Sequence, residues 1–192
     1  VAAGFDLEDI TVGTLDVNTT DVVNVEFAEG KTFNISEASA TLGADTSDEG
    51  GSFTVNVNAD DATVKIGDAN TTAKGFGDTD ATDYDVEEAT INLIGSATNI
   101  SAKLIDASAT TKVNVSGAAY TIDSIIEQDI ATQVFIAGDQ ALTLTDVALT
   151  DMDASAYTGD ITIVDSTKGA DASLVTGSGN DKVKLDTADI LA

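Results

Sequence analysis

The sequence predicts an all-β protein, and three features of it lead there. Apolar and polar residues alternate with period 2 in many short segments. The polar places in those segments are taken mostly by Thr and Asn, and the apolar ones by Val, Ile and Leu, which suit a half-buried pleated surface. Gly, Asp, Asn and Ser punctuate the segments at close spacing. Many short strands with frequent turns describe a sandwich, a barrel or a solenoid. We expect a β-solenoid or β-roll-like C-terminal half, with a β-sandwich or a continued solenoid in the N-terminal half.

In chain order, alternation marks Val22 to Phe27, Thr32 to Ile35, Phe53 to Asn58 and Thr63 to Ile66. It resumes at Val113 to Ser116, Leu142 to Thr145, Ile161 to Ile163 and Lys182 to Leu185. The turn signals are Gly50-Gly51, Asp60-Asp61, Gly67-Asp68, Gly138-Asp139 and Gly159-Asp160. Two segments read as helical. Ile122 to Ile130 places apolar residues at 122, 125, 126 and 130, and Ser36 to Leu42 has room for one turn. Strand patterning pauses in the acidic stretch 75–88, a soft boundary between a region 1–88 and a repeat-containing region 89–192; one continuous domain is the alternative. The repetition is carried by D-A-S-A at Asp106 to Ala109 and again at Asp153 to Ala156, 47 residues on, each followed by a strand.

Composition narrows the chemistry. The 192 residues carry 34 acidic and 8 basic side chains, all of the latter Lys, for a net charge of −26. There is no Cys, His, Pro, Trp or Arg. Disulfides, thiolate nucleophiles and Cys-based zinc sites are therefore excluded within the chain, as are Ser-His-Asp and Cys-His catalysis. The charge repels nucleic acid and anionic membrane surfaces. No apolar run approaches the roughly 18 residues that span a bilayer, so membrane insertion is not expected. The chain opens Val1-Ala2-Ala3-Gly4 without an initiator Met, which fits a processed leader or a piece of a longer protein. Of the acids, 26 are Asp and 8 are Glu. Asp favours turns over helices, and hard oxygen ligands on loops suit Ca²⁺. A solvated acidic surface is the plainer reading of the same charge.

Two stretches are candidate metal sites. Thr176 to Lys184 reads T-G-S-G-N-D-K-V-K. Set against the nonapeptide calcium repeat G-G-x-G-x-D-x-U-x, Gly177, Gly179, Asp181 and Val183 match and Thr176 replaces the first Gly. The glycines would turn the backbone and present carbonyls, and Asp181 would supply a carboxylate. Gly169-Ala170-Asp171 is a partial preceding copy, with Leu174 one residue late. The bland alternative is a Gly-rich turn. The second stretch sets Asp78, Asp80, Asp83, Asp85, Glu87 and Glu88 within eleven residues. Its spacing is not that of an EF-hand, so the readings are an irregular calcium loop or a solvated acidic loop. Asp45/Asp48/Glu49 and Asp151/Asp153 are weaker versions. No G-x-S-x-G, P-loop or dinucleotide fingerprint occurs, and carboxylate pairs are too common here to nominate a glycosidase pair. A non-enzymatic chain is expected.

The passage from Leu142 to Leu185, L-T-L-T-D-V through M-D-A-S-A-Y-T-G-D-I-T-I to V-T-G-S-G-N-D-K-V-K-L, resembles the repeat regions of bacterial surface-layer and RTX-type proteins exported by type I secretion. The motif match covers the last quarter to half of the chain, and composition alone extends it to residues 1–100. One near-complete nonapeptide without a tandem array departs from the RTX pattern. The resemblance implies a secreted, cell-surface structural protein that folds in external calcium and self-associates into a lattice or filament, with cell-surface polysaccharide as a further partner. In such β-rolls an ion sits between two successive turns, so one copy does not close a site. Two other roles stay open: an adhesin or ligand-binding module, and an accessory domain of a secreted hydrolase.

Overall fold

The computed structural model describes residues 3–6, 14–20, 22–27, 30–46, 51–66, 86–95, 100–106, 110–127, 133–145, 148–149, 151–168 and 173–185. In chain order the strands are β1 (Ala3–Asp6), β2 (Thr14–Val17), β3 (Val22–Phe27), β4 (Lys31–Ile35), β5 (Thr41–Thr46), β6 (Gly51–Val57), β7 (Ala62–Ile66), β8 (Val86–Leu93), β9 (Ile100–Asp106), β10 (Thr110–Val115), β11 (Tyr120–Glu127), β12 (Gln133–Gly138), β13 (Leu142–Thr145), β14 (Ala148–Leu149), β15 (Asp151–Asp153), β16 (Ile161–Lys168), β17 (Leu174–Val175) and β18 (Lys182–Leu185). No helix occurs among the described residues.

The chain is a β-solenoid with two parallel sheets. One sheet is ordered β17-β15-β12-β10-β8-β6-β4-β2, and the other runs from β1 through β3, β5, β7, β9, β11 and β13 to β16, which also pairs with β14 and β18. Each coil gives one strand to each sheet, then climbs to the next. Partners on successive coils are as close in sequence as Thr14 and Thr32 and as distant as Thr110 and Gln133. One coil is longer: Phe53 pairs with Ala89, and Ala62 with Ala102. Both sheets continue across it, because β6 pairs with β8 and β7 with β9. The N-terminal half is thus continued solenoid, not sandwich.

Alternation has its physical cause in this architecture. Each sheet has one face on the core and one face in water, so period 2 survives in a parallel sheet, where burial on both faces would erase it. Phe33, Ile35, Val55, Val57, Ile91, Leu93, Val113 and Val115 point inward from one sheet. They meet Leu42, Val64, Ile122, Leu144, Ile161 and Ile163 from the other. Each such side chain contributes about 1.5–3 kcal/mol by leaving water. Phe33 and Phe53 touch edge to face, with ring centroids 6.1 Å apart and planes at 75°.

Three sequence expectations are corrected. Of the segment Ile122 to Ile130 read as helical, the part up to Glu127 lies in β11, a strand whose register slips between Asp123 and Ile125, and 128–130 lie outside the described residues. That bulge inserts a residue into the alternation, and a strand with one slip imitates helical spacing over a few residues. At Ser36 to Leu42 the chain makes a turn into β5, with the Ala40 amide on the Glu37 carbonyl and Ser39 at φ 61°. The D-A-S-A repetition also differs from the structural period. Asp106 ends β9 in one sheet and Asp153 ends β15 in the other, so the 47-residue offset does not superpose like on like.

Candidate functional site

The turns leading from the first sheet into the second stack along one edge of the solenoid. They follow β4, β6, β10, β12, β15 and β17, and among the described residues they hold most of the Gly, Asp and Asn that lie in turns. Toward the C-terminal end this edge carries Gly138-Asp139, Gly159-Asp160 and then Gly177 to Asp181.

Close approach of successive coils explains the glycines. A Cβ on Gly177 would lie 2.0 Å from the Tyr157 carbonyl oxygen, and one on Gly179 would lie 2.1 Å from that of Gly159. Backbone stands where a side chain would go, so only Gly lets the turns stack. The Ser178 amide then reaches the Tyr157 carbonyl at 3.0 Å, and the Thr158 amide the Gly138 carbonyl at 2.9 Å.

The carboxylates tie the same coils together. Asp181 Oδ1 accepts the Ile161 amide at 3.0 Å, and Asp160 Oδ1 accepts the Asn180 amide at 2.8 Å. The two bonds cross the same gap in opposite directions. Asp151 Oδ1 takes the Ser173 amide at 2.8 Å, again one coil on. Within one turn, Asp153 Oδ1 takes the Ser155 amide at 2.8 Å, and the Ser155 hydroxyl and amide hold the Asp153 carboxyl below its ordinary value. Each of these bonds leaves lone pairs on the carboxylate for other donors or a cation. The nonapeptide motif thus has a structural function at Gly177, Gly179 and Asp181. Among the described residues no three carboxylates converge closely enough to hold a metal ion. Asp171, Asp78, Asp80, Asp83 and Asp85 lie outside the described residues.

Two features escaped sequence reasoning. On the outer face of the first sheet, Asn56 Nδ2 donates to Asn34 Oδ1, Asn92 to Asn56 and Asn114 to Asn92, at 2.8, 2.8 and 2.9 Å. Asn34 Nδ2 donates to Asp16 Oδ1 at 2.7 Å, so this one-way amide ladder ends on a carboxylate. Beside it run Thr14, Thr32, Thr54 and Thr90. The signal was present as T-x-N in three strands, but the sequence separations of 22, 36 and 22 hide the period. The second feature is a groove of about 260 Å³ farther along the same outer face, lined by Gln133, Phe135, Asp151, Asp153, Ser173 and Val175. Phe135 and Val175 stay 38% and 42% exposed on a face otherwise made largely of Thr and Asn.

Comparison of the chain with protein-family models, with curated proteins and with solved structures finds no match.

Proposed function

We propose that this chain is a structural segment of a bacterial extracellular surface layer or matrix filament, self-assembling with Ca²⁺ bridging its acidic turns. The observation that supports this best is the stacked acidic edge. Asp139, Asp160 and Asp181 recur on successive coils at the same side of a rod, in a chain of net charge −26. Coils in a parallel sheet lie about 4.8 Å apart, so like charges there repel unless solvated, hydrogen-bonded or neutralised by cations. Side-by-side packing of such rods raises that repulsion further. Divalent cations relieve it, and exposed carboxylate and carbonyl oxygens are the ligands Ca²⁺ takes. Weak sites of this kind suit an extracellular setting, where calcium is plentiful. Asp171 and the Asp78 to Asp85 stretch would add ligands to the same scheme. The resemblance of Leu142 to Leu185 to surface-layer and RTX repeats points the same way.

The test is assembly with and without chelator. Purified protein in millimolar calcium is expected to form ordered sheets or filaments by electron microscopy, and EGTA is expected to disperse them. Order that survives EGTA unchanged would refute calcium bridging.

A further inference from the structure

We propose that the groove over β12, β15 and β17 binds an amino sugar unit of an extracellular glycan. This reading stands apart from calcium bridging and does not rest on it.

Six outward side chains form a grid of two ranks. Register places Gln133 beside Asp151, and Phe135 beside Asp153 beside Val175. The Ser173 amide bonds to Asp151, which completes the first rank. Ranks two residues apart on a strand are separated by roughly 6.6 Å, and neighbouring strands by about 4.8 Å. Phe135 and Val175 therefore flank Asp153 as two apolar walls, with acceptors between and beside them.

The chemistry selects the ligand. An exposed aromatic face beside fixed carboxylates suits a ring with an apolar C–H face and polar edges. Asp151 and Asp153 are each held by a backbone amide, from Ser173 and Ser155, so the acceptors are set before a ligand arrives. A lone calcium ion fits poorly: its ligand oxygens sit at about 2.3–2.6 Å, while these two carboxylates belong to separate ranks and have separate partners. Among the described residues no basic side chain lines the groove. Lys112, the neighbour of Phe135 on β10, is tied to Glu88 at 2.6 Å. Anionic sugars are thus disfavoured. A cationic amino sugar gains charge-assisted hydrogen bonds to Asp151 or Asp153 while its ring covers Phe135.

The experiment is titration calorimetry of the whole chain with a glucosamine tetramer in about 0.15 M salt, where exposed charges are screened beyond about 8 Å. N-Acetylglucosamine tetramer and tetralysine serve as comparison ligands. Saturable binding of the glucosamine tetramer is expected, weakened roughly tenfold by Phe135→Ala and by Asp153→Asn, and kept by Phe135→Trp. Glu37→Gln removes one exposed charge outside the groove and should change nothing; circular dichroism verifies that each variant folds. Four results would overturn the proposal: no binding of the glucosamine tetramer, equal binding of the acetylated tetramer, equal binding of tetralysine, or equal weakening by Glu37→Gln and Asp153→Asn.

Discussion

The Asp181 carboxylate accepts the Ile161 amide at 3.0 Å, across the gap between two coils. The carboxylate that matches a calcium motif therefore already does a capping residue's work. Asp181→Ala should cost about 1 kcal/mol, as loss of a capping acceptor does. Asp181→Asn keeps a carbonyl oxygen there and should cost less. Urea denaturation in EGTA measures both. Repeating it in calcium separates the roles, because a ligand needs the charge: Asp181→Asn is expected to lose part of whatever stability calcium adds to the wild type. A neutral Asp181→Ala in both buffers would remove the capping role.

Gly177→Ala tests the close stacking of the turns. The added methyl would sit 2.0 Å from the Tyr157 carbonyl oxygen, and backbone cannot rotate away as a side chain can. Overpacking of this kind costs about 1–3 kcal/mol. The loss should be equal with and without calcium, since it arises from sterics alone. A loss seen only in calcium would instead assign Gly177 to an ion-binding turn.

The legible part of the fold was what one strand shows by itself. Phe53, Val55 and Val57 are buried and Thr54 and Asn56 face outward, as alternation requires. What partners a strand was far less legible, because parallel pairing leaves no local mark. A hairpin announces itself by its turn, whereas Phe33 meets Val55 a whole coil later. The long coil between Phe53 and Ala89 broke the only period that could have shown this. At the candidate site, Gly177, Gly179 and Asp181 were visible as a motif, yet the motif does not distinguish coil stacking from calcium binding. The Phe135 groove was invisible because its members come from three coils.

The amide ladder predicts a different kind of sensitivity. Asn56→Ala leaves Asn92 Nδ2 without its acceptor and Asn34 Oδ1 without its donor, in part-buried surroundings. The expected cost is about 1–3 kcal/mol in urea denaturation. Asn56→Asp keeps an acceptor for Asn92 but turns an oxygen toward Asn34 Oδ1. Its stability should recover as pH falls below about 4, where a protonated carboxyl can donate again. If Asn56→Asp matches the wild type at neutral pH, the direction of the ladder carries no energy.

Two buried phenols among the described residues predict an alkaline limit to stability. The Tyr120 hydroxyl accepts the Gly95 amide and donates to the Val57 carbonyl at 3.0 Å, joining one sheet to the turn of the other. The Tyr157 hydroxyl donates to the Gln140 carbonyl at 2.6 Å. Burial raises both phenols above their ordinary value of 10.0, with Asp60 and Asp139 respectively adding to the rise. A raised folded value means that the folded chain holds its proton where the unfolded chain has lost it. The stabilising effect is then complete below pH 10 and is lost as pH climbs from there toward the folded value. Urea midpoints measured upward from about pH 8 should be flat and then fall above about pH 10. Tyr120→Phe leaves Gly95 and Val57 without this partner and should cost about 1–3 kcal/mol below pH 10. It should also make the alkaline fall shallower, because one of the two groups responsible is gone. A variant that shows the full wild-type slope would place the alkaline sensitivity elsewhere.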